Sequence, residues 1–261
     1  MIKHAFVVCA YGKSKYLEQC VKSVVGQSVP TTVLMCTSTP SEYISDIATR
    51  YNVPLYVREG KSNIRDDWNF AYNLPDSDYV TVAHQDDVYH KDYVSYMQDK
   101  LRNCKHEDVI MYLTGYRPLK SGKVALDINC ILRGLLRSPL KFKFLRRNAF
   151  IRKSCLAFGN SICCPTVTYN KSKLGGDVFN SDLSFNIDWD TFYKLAQLKG
   201  EFVYESKSLT LYRIHAEATS KEFIDNHNRI LEDTEMFGKF WPKPMVKLLM
   251  KLYVKAYDTY N

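Results

Sequence analysis

The amino-acid sequence predicts an α/β fold in which a mostly parallel sheet carries helices on both faces. Three observations lead to this prediction. Apolar, β-rich runs alternate with helical patterns four times in the first hundred residues. The chain of 261 residues is long enough for one large domain with a substantial core. Its content of 46 % apolar and 25 % charged residues is ordinary for a globular protein.

The strands and helices of the first hundred residues follow in strict alternation. Apolar β-rich runs predict strands at residues 5–9, 32–36, 55–57 and 79–83. Apolar residues at helical spacing predict helices at residues 14–26, 41–51 and 64–72. Sheets of this kind bind ligands beyond the carboxyl ends of their strands. The turn at Ala10 and Tyr11 and the paired carboxylates of Asp86 and Asp87 both lie at such ends.

The remainder of the chain is less regular. We predict a helix at 93–104, a strand at 109–116, a polar loop at 179–185, a helix at 190–198 and a strand at 209–214. Residues 128–160 are basic and helical in places, and their pattern assigns no single element. Two terminal helices are predicted at 221–240 and 245–257, separated by Pro242 and Pro244.

Charge and cysteine content suggest where the protein works. Residues 101–160 carry thirteen basic and three acidic side chains, which accounts for the net charge of +8 and predicts an anionic partner. No recognised nucleic-acid-binding module is visible, so we expect a lipid surface or a phosphorylated substrate. The chain has no long apolar run and no signal-peptide pattern. Its eight cysteines, without CxxC spacing, favour reduced thiols in a cytoplasmic protein.

Asp86 and Asp87 directly follow the predicted strand at 79–83. Paired carboxylates at this position can bind Mg²⁺ or Mn²⁺, which take oxygen ligands from one or two carboxylates and from substrate phosphates. The alternative is that the pair caps the helix beginning near Asp92.

Two later segments also carry candidate site residues. In the segment Asp188-Trp189-Asp190, either carboxylate could cap the following helix, or one could act as a catalytic base in an aromatic setting. Arg213 and His215 lie two residues apart on a predicted strand and so point to the same side. They suit phosphate and metal binding, or they form an edge-strand pair that faces water.

Five segments, taken together, give a more specific signal. They are FVVCAYGKSKYLEQCVKSVVGQ, NIRDDWNFAYN, HQDD, IDWDTFYKL and YRIHAEATS. In content, order and spacing this series resembles family 2 glycosyltransferases of the GT-A fold, over about residues 4–220. The resemblance implies a GT-A type, Rossmann-like mixed sheet flanked by helices. It also implies a nucleotide-sugar-binding half at about 1–103, an acceptor-binding half at about 104–220 and a C-terminal helical extension at 221–261.

The resemblance implies a reaction and a set of site residues. The family moves a sugar from a nucleotide diphosphate sugar to an acceptor hydroxyl with inversion, and Asp188 stands at the position of its base. We expect a UDP-sugar as donor, with a dTDP-sugar as the alternative. Metal ligands for Mn²⁺ or Mg²⁺ are expected at Asp86, Asp87 and His215. Donor contacts are expected from Ala10, Tyr11, Ser38, Asn63, Arg65, Asp86, Arg213 and His215.

The sequence departs from the family pattern at three places. His84 stands where the first aspartate of the acidic motif often lies. Cys36-Thr37-Ser38 replaces an acidic strand end that touches the nucleotide base, and Ile187 replaces a glutamate beside the base. The second of these departures leaves the identity of the nucleotide base open.

The basic middle segment and the last predicted helix suggest how the acceptor is presented. Eight basic residues occur between 133 and 153, and lysines repeat every fourth residue at 243, 247, 251 and 255. These features predict peripheral contact with an anionic membrane and a lipid-linked saccharide acceptor, in cell-surface polysaccharide synthesis. The helix could instead pack on its own domain. There are two alternatives to the glycosyltransferase function. The protein could be a sugar-phosphate nucleotidyltransferase or a non-catalytic nucleotide-sugar-binding module.

Overall fold

The computed structural model describes residues 2–125, 127–215 and 228–255. Within these residues nine strands form one mixed sheet. In chain order the strands are β1 (His4–Ala10), β2 (Thr32–Thr37), β3 (Leu55–Val57), β4 (Tyr79–His84), β5 (Val88–Tyr89), β6 (Val109–Lys120), β7 (Lys123–Val124), β8 (Val167–Asn170) and β9 (Glu201–Ile214).

The sheet runs in the order β3-β2-β1-β4-β8-β6-β9-β5, and β7 pairs with β6. The four strands at one end, β3, β2, β1 and β4, are parallel. Strand β8 is antiparallel to both β4 and β6, whereas β6 and β9 are parallel. The predicted donor and acceptor halves therefore share one continuous sheet, and the mixed α/β fold is confirmed.

The helices follow the predicted pattern with shifted ends. They are α1 (Leu17–Val25), α2 (Glu42–Arg50), α3 (Ile64–Asn73), α4 (Tyr93–Arg102), α5 (Ile128–Arg137), α6 (Lys143–Arg146), α7 (Ala149–Ser154), α8 (Lys171–Leu174), α9 (Ile187–Leu195), α10 (Asn228–Gly238) and α11 (Lys243–Lys255). Ser41 and Asn63 begin α2 and α3 as side-chain caps, accepting from the backbone N–H of Ile44 and Asp66. Helix α9 begins at Ile187, three residues before the predicted start.

Two apolar clusters cover the two faces of the sheet. Along β1, Val7 belongs to one cluster and Phe6 and Val8 to the other, as the twofold alternation of a strand requires. Helices α1, α2 and α4 cover the face of Phe6. Helices α3, α9, α10 and α11 contribute to the cluster that contains Val7. The alternating pattern predicted a mostly parallel sheet with both faces covered, and the parallel part holds for β1 to β4.

Three arginines of the basic middle segment are buried and are therefore not available to the predicted anionic partner. Arg152 is 1 % exposed and donates to main-chain carbonyls that include those of Ala196 and Gly200. The Nε atom of Arg146 lies 2.8 Å from a carboxylate oxygen of Glu201. Arg137 is also buried and donates to the carbonyl of Ser161. Each guanidinium carries five N–H donors, so these arginines bind carbonyls and a carboxylate of their own chain.

The C-terminal helices pack on the core of the domain. Val246 and Met250 of α11 are buried in the same cluster as Trp189 of α9. The indole N–H of Trp241 donates to the carbonyl of Ala157 at 2.7 Å. The opposite face of α11 exposes Leu248 and Leu252 together with lysines. The packed interpretation therefore holds for one face of the helix, and membrane contact stays a prediction for the other. Among the described helices, none is long and apolar enough to cross a membrane.

Candidate active site

One cleft of about 850 Å³ opens at the carboxyl ends of the parallel strands β1, β2 and β4. Among the residues predicted from the sequence, it is lined by Ala10, Tyr11, Ser38, Asn63, Arg65, Asp86, Asp188 and His215. Asp87 and Arg213 are not among its lining residues. A second cleft, of about 890 Å³, lies near the amino end of β4 and contains none of the predicted site residues. The first cleft is therefore the candidate active site.

The turn after β1 is held between its two neighbouring strands. The backbone N–H of Tyr11 donates to the side-chain oxygen of Gln85 at 2.9 Å. Gly12 has a φ of 58°, which glycine adopts without the steric cost that other residues meet, and its N–H donates to the hydroxyl of Thr39 at 2.8 Å. These contacts fix the position of the turn while the ring of Tyr11 stays 59 % exposed at the cleft.

A carboxylate that the sequence analysis missed lies at the end of β2. Asp67 of α3 lines the cleft, where one of its oxygens accepts from the hydroxyls of Ser38 and Ser62, both at 2.9 Å. The other oxygen lies 2.7 Å from Nε of Arg58. Ser38 follows β2, the strand that lacks an acidic residue at its end. Helix α3 thus brings a carboxylate to that end, and the only sequence signal was the acidic pair after Arg65.

Asp86 is held in its ionised form. Its Oδ2 atom lies 3.0 Å from Nε2 of His215, and 25 % of its side chain is exposed. Burial alone would raise the pKa of Asp86, but the hydrogen bond from His215 and the attraction of that ring outweigh burial and hold the pKa below its usual value. Asp86 therefore presents a negative charge to the cleft.

Asp87 lies behind Asp86 in the protein interior. Its side chain is fully buried, and Oδ1 accepts from the backbone N–H of Arg213 at 2.9 Å. Burial and the neighbouring charge of Asp86 raise the pKa of Asp87 well above its usual value, against the opposing attraction of Arg213. Both carboxylates thus form hydrogen bonds with residues at the end of β9. The alternative, in which they cap the helix that begins near Asp92, is wrong.

Arg213 connects the loop that contains Asp86 and Asp87 to helix α1 and to Tyr16, the residue before that helix. Its Nε donates to the carbonyl of Asp86 at 2.8 Å and its Nη2 to the side chain of Gln19 in α1 at 2.6 Å. Its guanidinium also lies 4.1 Å from the ring centroid of Tyr16. Arg213 is only 7 % exposed, so it is not part of an edge-strand pair facing water. Its contacts position Asp86 and do not reach the cleft.

His84, at one departure from the family pattern, is an uncharged member of the cleft wall. Its ring stacks on the indole of Trp68 with centroids 4.8 Å apart and an interplanar angle of 21°. Burial lowers the pKa of His84, since desolvation disfavours the imidazolium form. The position therefore supplies a neutral, stacked ring where the family pattern often has an additional carboxylate.

Asp188 lies in the first turn of α9 and lines the opposite wall of the cleft. Its Oδ2 accepts from the side-chain amide of Asn160 and its Oδ1 from the backbone N–H of Trp189, both at 2.8 Å. Burial raises its pKa to about 6, against the opposing hydrogen bonds and the nearby charge of Arg133. Because the helix already begins at Ile187, the interpretation of Asp188 as a cap for a helix at 190–198 is wrong.

The buried carboxylate of Asp190 forms ion pairs within the protein. It is 2 % exposed and lies 2.8 Å from Nζ of Lys194 and 2.7 Å from Nζ of Lys239. Burial would raise the pKa of Asp190, but its hydrogen bonds to the two lysines outweigh that effect and lower it. Asp190 is therefore an ion-pairing residue that ties α9 to the end of α10, and it caps no helix.

Helix α10 holds the loop that leads to Asp188. The carboxylate of Glu232 accepts from the backbone N–H groups of Ser184, Phe185 and Asn186, each at 2.8 Å. Asn186 also donates through its side chain to Asp233 at 2.8 Å. These N–H groups precede α9, where a helix leaves donors without partners and favours negative charge. The sequence analysis assigned no role to Glu232.

The residues around Asp86 fit a divalent cation bound together with a phosphate-bearing ligand. Among the described residues, no group of three or more histidine, cysteine, aspartate or glutamate side chains has the spacing of a complete metal site. Asp86 and His215 supply one carboxylate and one imidazole at the cleft, and the Nδ1 atom of His215 has no hydrogen-bond partner within 2–125, 127–215 and 228–255. Mg²⁺ and Mn²⁺ commonly bind through one or two carboxylates plus substrate phosphates, so this pair meets that requirement.

Solved structures resemble the chain in fold. S. aureus TarS 1-349 matches with a TM-score of 0.63 at 14 % identity, covering 95 % of this chain and 69 % of that chain. TarS 1-349 in complex with UDP-GlcNAc matches with a TM-score of 0.63 at 15 % identity. This match covers 92 % of this chain and 71 % of that chain. The mannosyltransferase PcManGT from Pyrobaculum calidifontis, in complex with GDP-Man and Mn²⁺, matches with a TM-score of 0.66 at 13 % identity. This match covers 97 % of this chain and 69 % of that chain.

The comparison at the sequence level gives the family. The chain spans 43 % of the longer TarS structure that it also matches. No curated protein sequence matches it. The family described as Glycosyl transferase family 2 matches residues 5–174, which include the turn after β1, α3 and Asp86 but end before Asp188. Since this match covers more than half of the chain, the protein belongs to glycosyl transferase family 2.

Proposed function

We propose that this protein transfers a sugar from a nucleoside diphosphate sugar to a hydroxyl group of a saccharide acceptor, with inversion at the anomeric carbon. The observation that carries the proposal is that one cleft contains two carboxylates whose pKa values are shifted in opposite directions. Asp86 is kept ionised beside His215, and Asp188 has a pKa of about 6. Such a difference between two acids suits one for binding cations and the other for taking up a proton.

Asp188 is the general base of the proposed reaction. A base works best when its pKa lies near the pH at which the enzyme operates, and a value of about 6 leaves it ionised at neutral pH. The acceptor hydroxyl gives its proton to Asp188, and its oxygen forms the new bond to the anomeric carbon. The bond from that carbon to the diphosphate breaks, and the nucleoside diphosphate leaves with the electron pair. One displacement of this kind inverts the configuration and requires no enzyme nucleophile.

Asp86 and His215 are the proposed ligands of Mn²⁺ or Mg²⁺. A cation bound there would stabilise the negative charge of the leaving diphosphate. Asp87 and Arg213, expected as a metal ligand and a donor contact, have a positioning role in this proposal. Their buried contacts with each other and with the Asp86 main chain keep Asp86 at the end of β4.

The donor occupies the side of the cleft formed by β1, β2 and α3. Ala10 and Tyr11 border the nucleotide, and Asn63 and Arg65 lie at the start of α3 on the same wall. We expect Asp67, oriented by Ser38, to accept a hydrogen bond from an N–H group of the base. Uracil and thymine each offer one such group, which keeps a UDP-sugar as the first expectation and a dTDP-sugar as the second.

The acceptor approaches from the side of Asp188 and Arg133. Arg133 lines the cleft and belongs to the basic segment, so an acceptor that carries phosphate is electrostatically favoured there. A saccharide linked to a lipid through a diphosphate has this chemistry and would place the enzyme at the inner face of the cell membrane. Synthesis of a cell-surface polysaccharide is the corresponding biological role.

Turnover of nucleotide sugars tests the proposal. The full chain is incubated with UDP-, dTDP- and GDP-sugars, with and without Mn²⁺, and the released nucleotide is identified. We expect a nucleoside diphosphate. A parallel incubation with a nucleoside triphosphate and a sugar 1-phosphate that releases pyrophosphate would instead indicate nucleotidyl transfer. Binding without turnover in the presence of saccharide acceptors would indicate a non-catalytic module.

The variant Asp188→Asn provides the matched control for that experiment. Because a base acts on the acceptor, the variant should retain donor binding, measured as a rise in the midpoint of thermal unfolding, while transfer is lost. Turnover at the wild-type rate in this variant would remove Asp188 from the mechanism.

A further inference from the structure

Helix α5 carries its apolar side chains on the outside of the molecule. Ile128, Ile131, Leu132 and Leu135 follow the spacing of a single helix face, and all four are exposed, Ile128 by 69 %. The opposite face points inward, where Arg137 is buried and Cys130 donates to the carbonyl of Tyr116. A surface helix of a globular protein normally buries its apolar stripe, so α5 is reversed relative to that rule.

The segment after α5 carries two further exposed apolar side chains. Phe142 and Phe144 are 57 % and 74 % exposed, and their ring centroids lie 6.2 Å apart. They alternate with Lys141 and Lys143, which are also exposed. No acidic residue occurs between Asp127 and Asp177, so the surroundings of these rings in the sequence carry positive charge only.

We propose that this surface, the α5 face, docks on an anionic lipid bilayer, with the apolar side chains entering the boundary between headgroups and acyl chains. The α5 face consists of Ile128, Ile131, Leu132, Leu135, Phe142 and Phe144. An exposed apolar patch of this kind marks a contact with another protein or with a membrane. Lysines placed between phenylalanines, without acidic residues, complement negatively charged headgroups. A second copy of the same basic face would instead meet like charge.

The position of α5 links the lipid surface to the proposed reaction. Arg133, on the inward side of α5, lines the cleft that contains Asp188. Its Nη1 atom donates to the hydroxyl of Tyr116 at 3.1 Å, which fixes it at the cleft wall. One helix therefore separates the bilayer from the cleft, and a lipid-anchored acceptor reaches the base across it. This last step rests on the proposed function, whereas docking itself does not.

Vesicle binding of the full chain tests the α5 face. Binding is measured by co-sedimentation with phosphatidylcholine vesicles and with vesicles of equal parts phosphatidylcholine and phosphatidylglycerol. We expect binding to the anionic vesicles only. The double variant Phe142→Ser/Phe144→Ser and the double variant Ile131→Ser/Leu135→Ser should each bind more weakly by at least about tenfold, because each removes two apolar side chains from the bilayer.

A matched control uses exposed apolar residues elsewhere. Tyr56 and Val57 of the edge strand β3 are 42 % and 49 % exposed, and the variant Tyr56→Ser/Val57→Ser should bind like the wild type. Unfolding midpoints should change little in the α5-face variants, since these side chains are already exposed to water. Their nucleotide release with a water-soluble acceptor should also be unchanged, which separates docking from the proposed reaction.

Two results would overturn the proposal. One is equal vesicle binding by the wild type and both α5-face variants. The other is a wild-type dimer, seen by light scattering without any vesicle binding, that becomes monomeric in these variants, since the α5 face would then join two copies of the chain.

Discussion

The raised pKa of Asp188 predicts that this carboxylate destabilises the folded protein at neutral pH. Burial raises the pKa from 3.8 to about 6, so the native state holds the proton more tightly than the unfolded chain does. At about 1.4 kcal/mol per pKa unit, ionised Asp188 lowers the free energy of unfolding by about 3 kcal/mol above pH 6. That cost is absent below about pH 4, where the carboxyl group is protonated in both states.

The variant Asp188→Asn removes the charge and keeps the shape of the side chain. It also loses one of the two acceptor oxygens that bind Asn160 and the N–H of Trp189, at a cost of about 1 kcal/mol. We therefore expect the variant to raise the free energy of unfolding by about 2 kcal/mol at pH 8. The gain should shrink by roughly 1 kcal/mol between pH 8 and pH 5, because wild-type Asp188 becomes protonated in that interval.

Urea unfolding at pH 8 and pH 5 measures both values, and Asp190→Asn is the control on the same helix. Asp190 has a lowered pKa and ion pairs with Lys194 and Lys239, so its stabilisation is present at neutral pH and is lost as the pH falls. Asp190→Asn should therefore destabilise the protein, by about 1 kcal/mol or more at pH 8. The reasoning about Asp188 is refuted if its asparagine variant is equally or less stable than the wild type at both pH values.

Three further outcomes follow from the same geometry. The wild-type kcat/KM for transfer should fall as the pH drops below about 6, where Asp188 becomes protonated, and a pH-rate profile without this limb would contradict its role as base. Asp86→Asn should abolish the dependence of donor binding on Mn²⁺ in calorimetry, and unchanged dependence would exclude Asp86 as a ligand. Glu232→Ala should lower kcat by about tenfold or more with little change in the donor KM, because three N–H groups before α9 lose their acceptor. Glu235→Ala, an exposed change on the same helix, should leave both constants unchanged.

The sequence predicted the frame of the fold well, because local patterns encode it. The alternation of strands and helices placed β1 to β4 and α1 to α4 to within a few residues. Strand β9 is longer than predicted, running from Glu201 to Ile214 with pairing irregularities opposite Gly115. Its polar residues 205–208 interrupt the apolar pattern and concealed the first half of the strand.

The candidate site was predictable only where a residue stands at the end of a regular element. Tyr11 and Asp86 follow from the rule that ligands bind beyond the carboxyl ends of parallel strands. Asp67 and Glu232 were missed, because each reaches the cleft or its supporting loop from the side of a helix. The buried state of Asp87 was also missed, since a pair of adjacent aspartates gives no sign of which one faces inward.

The sequence by itself determined the α/β class, the family and eight of the residues that line the cleft, because these are recorded in local periodicity and in short motifs. Only the tertiary structure decided how each carboxylate behaves. Arg213 reaches Gln19 across 194 residues of sequence, and Asp86 meets His215 across 129. Burial and ion pairing depend on such distant neighbours. The pKa of Asp188 and the outward apolar face of α5 therefore become visible only when the chain is folded.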